Sequence, residues 1–545
     1  YNIKDDKILF AEGRDGPANM SRLCVKGRYG FNYVNSEQRL TVPLARKKGV
    51  SKNIQPEDFN LDKIEDYFEP ISWEDAIDRT AEKFKSLTDS DVQSTAGFGC
   101  AKGSNEEAYL FQKLIRTGFK NNNVDHCTRL CHASSVVALL EMIGSGAVSN
   151  QVADVAEADT IIVIGANPTV NHPVAATFIK NAAKAGKNLI VLDPRRNDLA
   201  RHATHYLQFK PDTDVALLNA IMKSIIDQNL IDKKFIDQRT TDFEDLKKHL
   251  KDFTPEKMQS ICGIDAKTIH EVAKIYASSP ASIIFWGMGV SQHIHGTDNA
   301  RALISLALMT GQVGRPGTGL HPLRGQNNVQ GASDSGLIPM VYPDYQRVDN
   351  PEINSFFERF WDAELDPNPG LTVVEIMYEI TKGRIKGLYV MGENPAMSDP
   401  DLNHARNALS KLEHLVVQDI FLTETAMYAD IILPASAFPE KTGTFTNTDR
   451  RVQLGNQAVN PPGDARQDLW IIQQIARGMG LTWNYKHPKE IFKEMTECMP
   501  SIQGITWDRL EKNHSITYPC DDSKDPGQPV IFIDDFPTET GKAKF

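Results

Sequence analysis

Three segments of the chain repeat one pattern, in which a short apolar strand leads through a glycine turn to a helical segment. The three strands, each with the glycine that follows it, are Thr160–Ile164 with Gly165, Ser282–Trp286 with Gly287, and Ile385–Met391 with Gly392. Short apolar runs that alternate with helices are typical of parallel sheets covered by helices. We therefore predict an α/β fold with doubly wound parallel sheets. The length of 545 residues indicates several domains.

The first and third of these units share further residues. Each continues from its glycine through Asn-Pro, and each has an aspartate at the end of the next strand, Asp193 and Asp419 respectively. At the carboxyl edge of a doubly wound sheet, a glycine turn admits phosphate and an acidic residue can reach ribose or base. Either unit alone is equally well explained as a stable turn. The pair favours two nucleotide-like ligands, or one ligand with two halves. A full Gly-x-Gly-x-x-Gly is absent from both units, which argues against a typical NAD site.

Composition excludes several classes of function. A net charge of −11 argues against general nucleic-acid binding. The apolar runs are too short to span a bilayer, so we expect no membrane span. The seven cysteines are odd in number and scattered, which favours a reducing compartment, here the cytoplasm, over a disulfide framework.

The segment from residue 122 to residue 135 is the richest in reactive side chains and contains Cys127, Cys131 and His132. A zinc site is one interpretation, but a second Cys/His pair of suitable spacing is missing nearby. Two buried free cysteines are another, and we prefer it for Cys127. For Cys131 the adjacent imidazole and the small residues that follow favour a reactive or ligating thiol.

This segment resembles the metal-binding segment of formate dehydrogenases in the molybdopterin oxidoreductase family. The run Leu323–Gly331, with Arg324, Gln326 and two asparagines, is similar to the formate pocket of that family. Further matches, among them Trp286–Gly289 and Ala429–Pro434, follow in the family's order, so the resemblance spans nearly the whole chain.

The resemblance implies a molybdenum (or tungsten) ion held by two molybdopterin guanine dinucleotides. Cys131 would ligate the metal, and His132, Arg324 and Gln326 would act on formate. The residues that match the cofactor-binding positions are Lys26, Gly165, Asn167, Asn171, Asp193, Arg195, Asp212, Asp214, Met288, Gln292, Asn394, Gln418 and Asp419.

The residue types suit this chemistry. A guanidinium such as Arg324 holds a carboxylate by two parallel hydrogen bonds, which a lysine cannot do. Its polar neighbours, Gly325 to Asn328, favour a pocket loop over a surface or ion-paired arginine. Cys131 offers a soft thiolate, and His132 can hold a proton or orient the substrate.

The family passes electrons from the metal to a [4Fe–4S] cluster and then to an acceptor protein or subunit. Cys24 matches the fourth cysteine of that cluster, and Lys26 would link the cluster to the pterin. We expect the other three cysteines to precede Tyr1.

The resemblance also implies a domain division. Residues 1–51 with about 440–530 would be the remnant of the domain next to the iron–sulfur cluster. Residues 52–126 with 327–440 would form one dinucleotide-binding α/β domain, and residues 127–326 a second. Residues 531–545 would begin a further C-terminal domain.

Two other functions remain open. A related oxidoreductase, such as a nitrate reductase, has the same fold and some of its members also use cysteine. A cofactor-free structural homologue is the second alternative, although such a protein has no reason to keep Cys131, His132 and Arg324 together.

Overall fold

The chain folds around two large sheets whose strands are mostly parallel. The computed structural model describes residues 1–545, apart from the side chain of Leu61. The strands are β1 (Asn2–Lys4), β2 (Lys7–Phe10), β3 (Leu44–Arg46), β4 (Phe68–Pro70), β5 (Thr95–Gly99), β6 (Val124–His126), β7 (Thr160–Ile164), β8 (Asn188–Leu192), β9 (His205–Leu207), β10 (Thr240–Thr241), β11 (Ser282–Trp286), β12 (Gly319–Pro322), β13 (Val341–Tyr342), β14 (Gln346–Arg347), β15 (Gly387–Met391), β16 (His414–Asp419), β17 (Ile431–Pro434), β18 (Gly443–Thr446), β19 (Arg451–Gly455), β20 (Ser515–Thr517) and β21 (Ala543–Lys544).

The α-helices account for most of the remaining regular structure. They are α1 (Val25–Tyr29), α2 (Trp73–Ser90), α3 (Asn105–Thr117), α4 (Thr128–Cys131), α5 (Ala133–Ile143), α6 (Pro168–Asn171), α7 (Pro173–Lys184), α8 (Asp214–Asp227), α9 (Lys233–Arg239), α10 (Phe243–His249), α11 (Pro255–Cys262), α12 (Ala266–Ser278), α13 (Met288–Ser291), α14 (Gly296–Met309), α15 (Val329–Asp334), α16 (Pro351–Trp361), α17 (Val373–Thr381), α18 (Pro395–Ser398), α19 (Leu402–Lys411), α20 (Asp468–Gly478), α21 (Pro488–Cys498) and α22 (Trp507–Asn513). Within the described part of the chain, none of the helices combines the length and the apolar character needed to cross a membrane.

The smaller of these two sheets has five parallel strands in the order β12-β11-β7-β8-β9. Its central strands are rich in β-branched residues and buried on both faces, as a parallel sheet covered by helices requires. Ile162, Ile164 and Trp286 face one core, which they share with residues of α5, α8 and α14. Val163 and Phe285 face a second core on the opposite side of the sheet, which includes Ile179 of α7. The predicted fold class is therefore confirmed.

The larger sheet has seven strands in the order β4-β3-β17-β16-β15-β5-β6. The five strands from β17 to β6 run parallel, and β3 and β4 complete the sheet as antiparallel strands. Strand β3 brings residues 44–46 of the N-terminal segment into this sheet. A separate antiparallel sheet, β18-β19-β20, lies near the C-terminal end of the chain.

Candidate active site

The carboxyl edge of the five-stranded sheet gathers three of the predicted site segments. Strands β7, β11 and β12 run in the same direction and end at Ile164, Trp286 and Pro322. The loops that follow begin at Gly165, Gly287 and Leu323. Ligands of doubly wound sheets bind at this edge, because the strand ends leave a crevice between diverging loops.

Cys131 is the last residue of the short helix α4 and is only partly buried. Its Sγ atom lies 3.4 Å from Sδ of Met288, the first residue of α13. Burial raises the pKa of the Cys131 thiol, and the guanidinium of Arg324 opposes that rise. The charge of the arginine thus acts on the cysteine with which it is predicted to function.

His132 joins α4 to α5 and is fully buried. Its Nε2 atom lies 2.9 Å from the carbonyl oxygen of Leu323, and its Nδ1 atom lies 3.0 Å from Oγ of Ser291. Burial, together with the positive charge of Arg324, lowers the pKa of His132 to about 3. Both ring nitrogens therefore have protein partners, and the neutral ring is the stable form at physiological pH.

Arg324 follows β12 and has only 4% of its surface exposed. Its Nη2 atom donates a 2.6 Å hydrogen bond to the carbonyl oxygen of Gly146. Among the described atoms, its buried Nε and Nη1 find no hydrogen-bond partner. Leaving charged donors buried and unpaired is costly, so this guanidinium fits an anion that completes its hydrogen bonds.

Gln326 lies two residues beyond Arg324 and contacts the other cysteine of the cluster. Its Oε1 atom accepts a hydrogen bond from Sγ of Cys127 at 3.3 Å. Cys127 is buried, and burial raises its pKa well above the ordinary value of a thiol. This contact fastens the loop that carries Arg324 to the segment that carries Cys131 and His132.

Two cavities flank this loop. The first, the Gly165 cavity, measures about 630 Å³, and Gly325 is part of its lining. The second, the Gly392 cavity, measures about 770 Å³, and Asn327 is part of its lining. Both volumes fall in the range of small-molecule and cofactor sites. Gln326 sits between the two residues that reach the two cavities.

The predicted cofactor-binding residues divide between these cavities. Those that line the Gly165 cavity are Lys26, Gly165, Asn167, Asn171, Asp193, Asp212, Asp214 and Met288. Those that line the Gly392 cavity are Asn394, Gln418 and Asp419. Arg195 and Gln292 belong to neither lining: Arg195 is exposed beside Asp193, and the amide of Gln292 donates to the carbonyl oxygen of Leu130 at 2.6 Å.

The two Gly-x-Asn-Pro units have closely similar backbone geometry. Gly165 and Gly392 both have positive φ, +55° and +65°. The amide of Gly165 donates to Leu192 at 3.0 Å and that of Gly392 to Gln418 at 2.8 Å, in each case to a carbonyl oxygen near the end of the next strand. A Cβ at Gly165 would lie 2.8 Å from the backbone of Gly289, so only glycine fits there. The residues that the two units share in the sequence therefore correspond to a shared backbone structure.

Sequence reasoning missed a group of charged residues in the Gly392 cavity. Lys441 is buried, and its Nζ atom lies 2.8 Å from carboxylate oxygens of both Glu107 and Asp468. Glu393 also lines the cavity, and burial raises its pKa to about 7. Burial raises the pKa of the predicted residue Asp419 to about 6. The partners of Lys441 come from distant parts of the chain, so spacing gave no signal of this group.

The N-terminal residues predicted to meet an iron–sulfur cluster lie next to the Gly165 cavity. Cys24 caps helix α1, and its partly buried Sγ atom lies 3.5 Å from the amide nitrogen of Gly27. Lys26, two residues further on, lines the cavity. The short helix α1 thus carries one residue that lines the cavity, two positions after its capping cysteine.

The arrangement fits a cofactor with two nucleotide-like halves and a metal between them. The chain offers two cavities, each built on a glycine turn, with a partly exposed thiol and a buried guanidinium close to the loop between them. Among the side chains that the structure describes, no three His, Cys, Asp or Glu residues converge to hold a metal by themselves. The zinc alternative for Cys127 and Cys131 therefore has no ligand set.

The amino-acid sequence is similar to those of known formate dehydrogenases. It is 44% identical over 545 residues to the F420-dependent formate dehydrogenase subunit alpha of Methanocaldococcus jannaschii, which covers 99% of this chain and 77% of that protein. It is 37% identical over 553 residues to formate dehydrogenase H of Escherichia coli (strain K12), covering 100% of this chain and 75% of that protein.

A solved structure supports the fold independently. Acetylene hydratase from Pelobacter acetylenicus superposes with a TM-score of 0.77 at 20% sequence identity, over 97% of this chain and 73% of that chain. The family model described as molybdopterin oxidoreductase matches residues 39–478. From this match and the relatives' identity over nearly the whole chain, we conclude that the chain belongs to the molybdopterin oxidoreductase family, a family of enzymes.

Proposed function

We propose that this chain oxidises formate to carbon dioxide, with two molybdopterin guanine dinucleotides and a molybdenum or tungsten ion as its cofactor. The observation that carries the proposal is the buried guanidinium of Arg324, with unpartnered Nε and Nη1 atoms, whose charge acts on the thiol of Cys131. A small carboxylate is an anion that can accept hydrogen bonds from donors left free on such a guanidinium. The names of the relatives, formate dehydrogenases, support the same substrate.

The residues suggest how the cofactor is held. Cys131 would supply a thiolate ligand to the metal, and because burial raises the pKa of its thiol, the thiol would lose its proton when it binds. The Gly165 cavity would take one dinucleotide and the Gly392 cavity the other. Asp193 and Asp419 would accept hydrogen bonds from the nucleosides, and the two glycine turns, which carry no side chain, would leave room for the phosphates. When bound, such a group supplies two-electron redox chemistry.

The protein's own part in the reaction is to bind and orient formate. Arg324 holds the carboxylate by parallel hydrogen bonds, so that the C–H bond points away from the guanidinium. Gln326 and His132 fix the loop on which Arg324 lies. Oxidation of HCOO⁻ gives CO₂, one proton and two electrons. We propose that the electrons leave past Lys26 through a [4Fe–4S] cluster, with Cys24 as one ligand, to an acceptor protein or subunit.

The sheets support the proposed domain division. The five-stranded sheet lies within residues 127–326, and six of the seven strands of the larger sheet lie within 52–126 and 327–440. The sheet β18-β19-β20 belongs to the segment 440–530. Strand β3 is the exception, since it joins the N-terminal segment to the larger sheet.

Dye reduction by the metal-loaded enzyme tests the proposed reaction. Formate should reduce a viologen dye, while nitrate should not oxidise the reduced dye. Turnover with nitrate and none with formate would refute the proposal and favour a related oxidoreductase. If neither substrate reacts with a protein shown to contain metal, the proposed substrate is wrong.

A further inference from the structure

A chain of four buried hydrogen bonds passes through His132. The indole Nε1 of Trp286 donates to Oγ of Ser135 at 2.8 Å. Oγ of Ser135 lies 2.6 Å from Oγ of Ser291, which in turn lies 3.0 Å from Nδ1 of His132. Nε2 of His132 ends the chain, 2.9 Å from the carbonyl oxygen of Leu323. Each of these four side chains is at most 5% exposed.

The groups at the two ends of this series of hydrogen bonds fix the direction in which every bond is donated. An indole N–H can only donate and a carbonyl oxygen can only accept. Nε2 of His132 must therefore carry hydrogen, because a bare Nε2 would face the oxygen of Leu323 with its lone pair. Oγ of Ser135 already accepts from the indole, so its own hydrogen can point to Oγ of Ser291, and the hydrogen of Ser291 can point to Nδ1 of His132. Every hydroxyl then donates in the same sense, from Trp286 through Ser135 and Ser291 to His132.

The backbone that carries Arg324 is held from several sides. The amide of Leu323 donates to the carbonyl oxygen of Trp286 at 2.8 Å, while the carbonyl of Leu323 accepts from His132. The next carbonyl, that of Arg324, lies 2.6 Å from Nε2 of His172. Two successive carbonyls thus each pair with a histidine, and the guanidinium ends against Gly146. Turning the ring of His132 would release one of these two anchors.

We propose that Ser291 and Ser135 are positioning residues, which fix the tautomer and the ring orientation of His132 and thereby the place of the Arg324 guanidinium. The functional consequence rests on the proposed function, because it assumes that Arg324 holds the substrate carboxylate. The tautomer and orientation of the His132 ring do not depend on the proposed function. In this arrangement both ring nitrogens of His132 are hydrogen-bonded within the protein. His132 therefore acts on the site by holding the carbonyl of Leu323, next to Arg324. Ser291 matters most, since its hydroxyl is the only partner of Nδ1 among the described side chains.

The first readout is spectroscopic and needs no substrate. Histidine-selective ¹⁵N labelling, with the His132 signals assigned from a His132→Gln variant, reports which ring nitrogen carries hydrogen. We expect the Nε2–H form in the unaltered protein and a mixture of tautomers in Ser291→Ala. An Nδ1–H form in the unaltered protein, or the same pure tautomer in Ser291→Ala, would overturn the proposal.

The second readout is the split between KM and kcat in the holoenzyme. Ser291→Ala should raise the KM for formate about 10- to 100-fold with a smaller change in kcat, because the guanidinium is displaced while the metal ligand is not. Ser291→Thr, which keeps the hydroxyl, should restore most of the loss. The matched control is Ser305→Ala, at a buried serine of α14 that takes no part in these hydrogen bonds, and it should leave both KM and kcat unchanged. Equal KM values in Ser291→Ala and Ser305→Ala would contradict the proposal.

A second variant guards against a folding defect in Ser291→Ala. Trp286→Phe removes the donor at the far end of the hydrogen-bond chain and keeps an aromatic ring on β11, with a small loss of volume in the buried core. It frees the hydroxyls to reverse, so we expect a partial shift of the His132 tautomer and a smaller rise in KM. An unchanged tautomer in Trp286→Phe would show that the direction of the chain is not set by the indole. If formate is not a substrate at all, the proposed function fails, while the tautomer experiment still decides the positioning role.

Discussion

Nη2 of Arg324 donates a hydrogen bond to the carbonyl oxygen of Gly146 at 2.6 Å and so anchors one corner of a buried guanidinium. Two of its other donor atoms, Nε and Nη1, have no hydrogen-bond partner among the described atoms. The guanidinium is therefore preorganised to bind an anion. The carboxylate of a small substrate can complete the hydrogen bonds that the protein leaves unmade.

Replacing Arg324 with lysine tests the geometry of this site separately from its charge. Arg324→Lys keeps the positive charge but loses the planar fork, so we expect the KM for formate to rise about 10- to 100-fold. Steady-state kinetics of the holoenzyme measures this. The exposed Arg359 provides the control, since Arg359→Lys should change nothing. An unchanged KM in Arg324→Lys would mean that a simple charge suffices.

The ion-pair cluster of the Gly392 cavity should be important for stability. Lys441→Met leaves the buried carboxylates of Glu107 and Asp468 facing each other without a cation, and we expect a loss of about 3–5 kcal/mol in the free energy of unfolding. Urea denaturation measures this. The control is Lys83→Met, which removes a partly exposed pair with Glu413 and should cost less than about 1 kcal/mol. Similar losses in the two variants would contradict this ranking.

Asp334 should make stability depend on pH. Burial raises its pKa from 3.8 to about 7, and its Oδ2 atom is buried without a partner among the described atoms. Between these two values the folded state holds a proton that the unfolded state releases. Stability therefore falls as pH rises through this window, and the penalty is complete above about pH 7.

Removing the carboxyl group should remove this dependence. Asp334→Asn has no proton to lose, so its unfolding free energy should vary less between pH 4 and pH 7 (about the interval between the two pKa values) and exceed that of the unaltered protein most at the upper end. Denaturation at a series of pH values checks this. Asp89→Asn, at an exposed site, should keep the original slope. A slope that persists in Asp334→Asn would assign the pH dependence to other groups.

Local patterns in the sequence were enough to predict the fold class and the two glycine turns. Gly165 and Gly392 can be identified from the sequence because the strand, the turn and the aspartate of each unit lie within one short segment. Each of these elements is recognisable from its own residues. The joint role of Cys131 and Arg324 was predicted from resemblance to a family, since no local pattern links positions so far apart in the sequence.

The structure adds what depends on tertiary packing. Ser135, Trp286 and Ser291 lie on α5, β11 and α13, and only the fold brings their side chains into one series of hydrogen bonds. The same is true of Lys441, whose two carboxylate partners lie on α3 and α20. Strand β3 likewise joins the larger sheet through antiparallel pairing that its short sequence does not indicate.

The most direct test of the account is the metal content and formate-dependent dye reduction of Cys131→Ala, measured beside Cys127→Ala in the holoenzyme. Cys127 is a buried neighbour whose thiol donates to Gln326 and is not the predicted metal ligand, so its variant should retain metal and most of the activity. We predict that Cys131→Ala loses formate oxidation, because the thiolate ligand of the metal is gone. Full activity in Cys131→Ala would contradict the account.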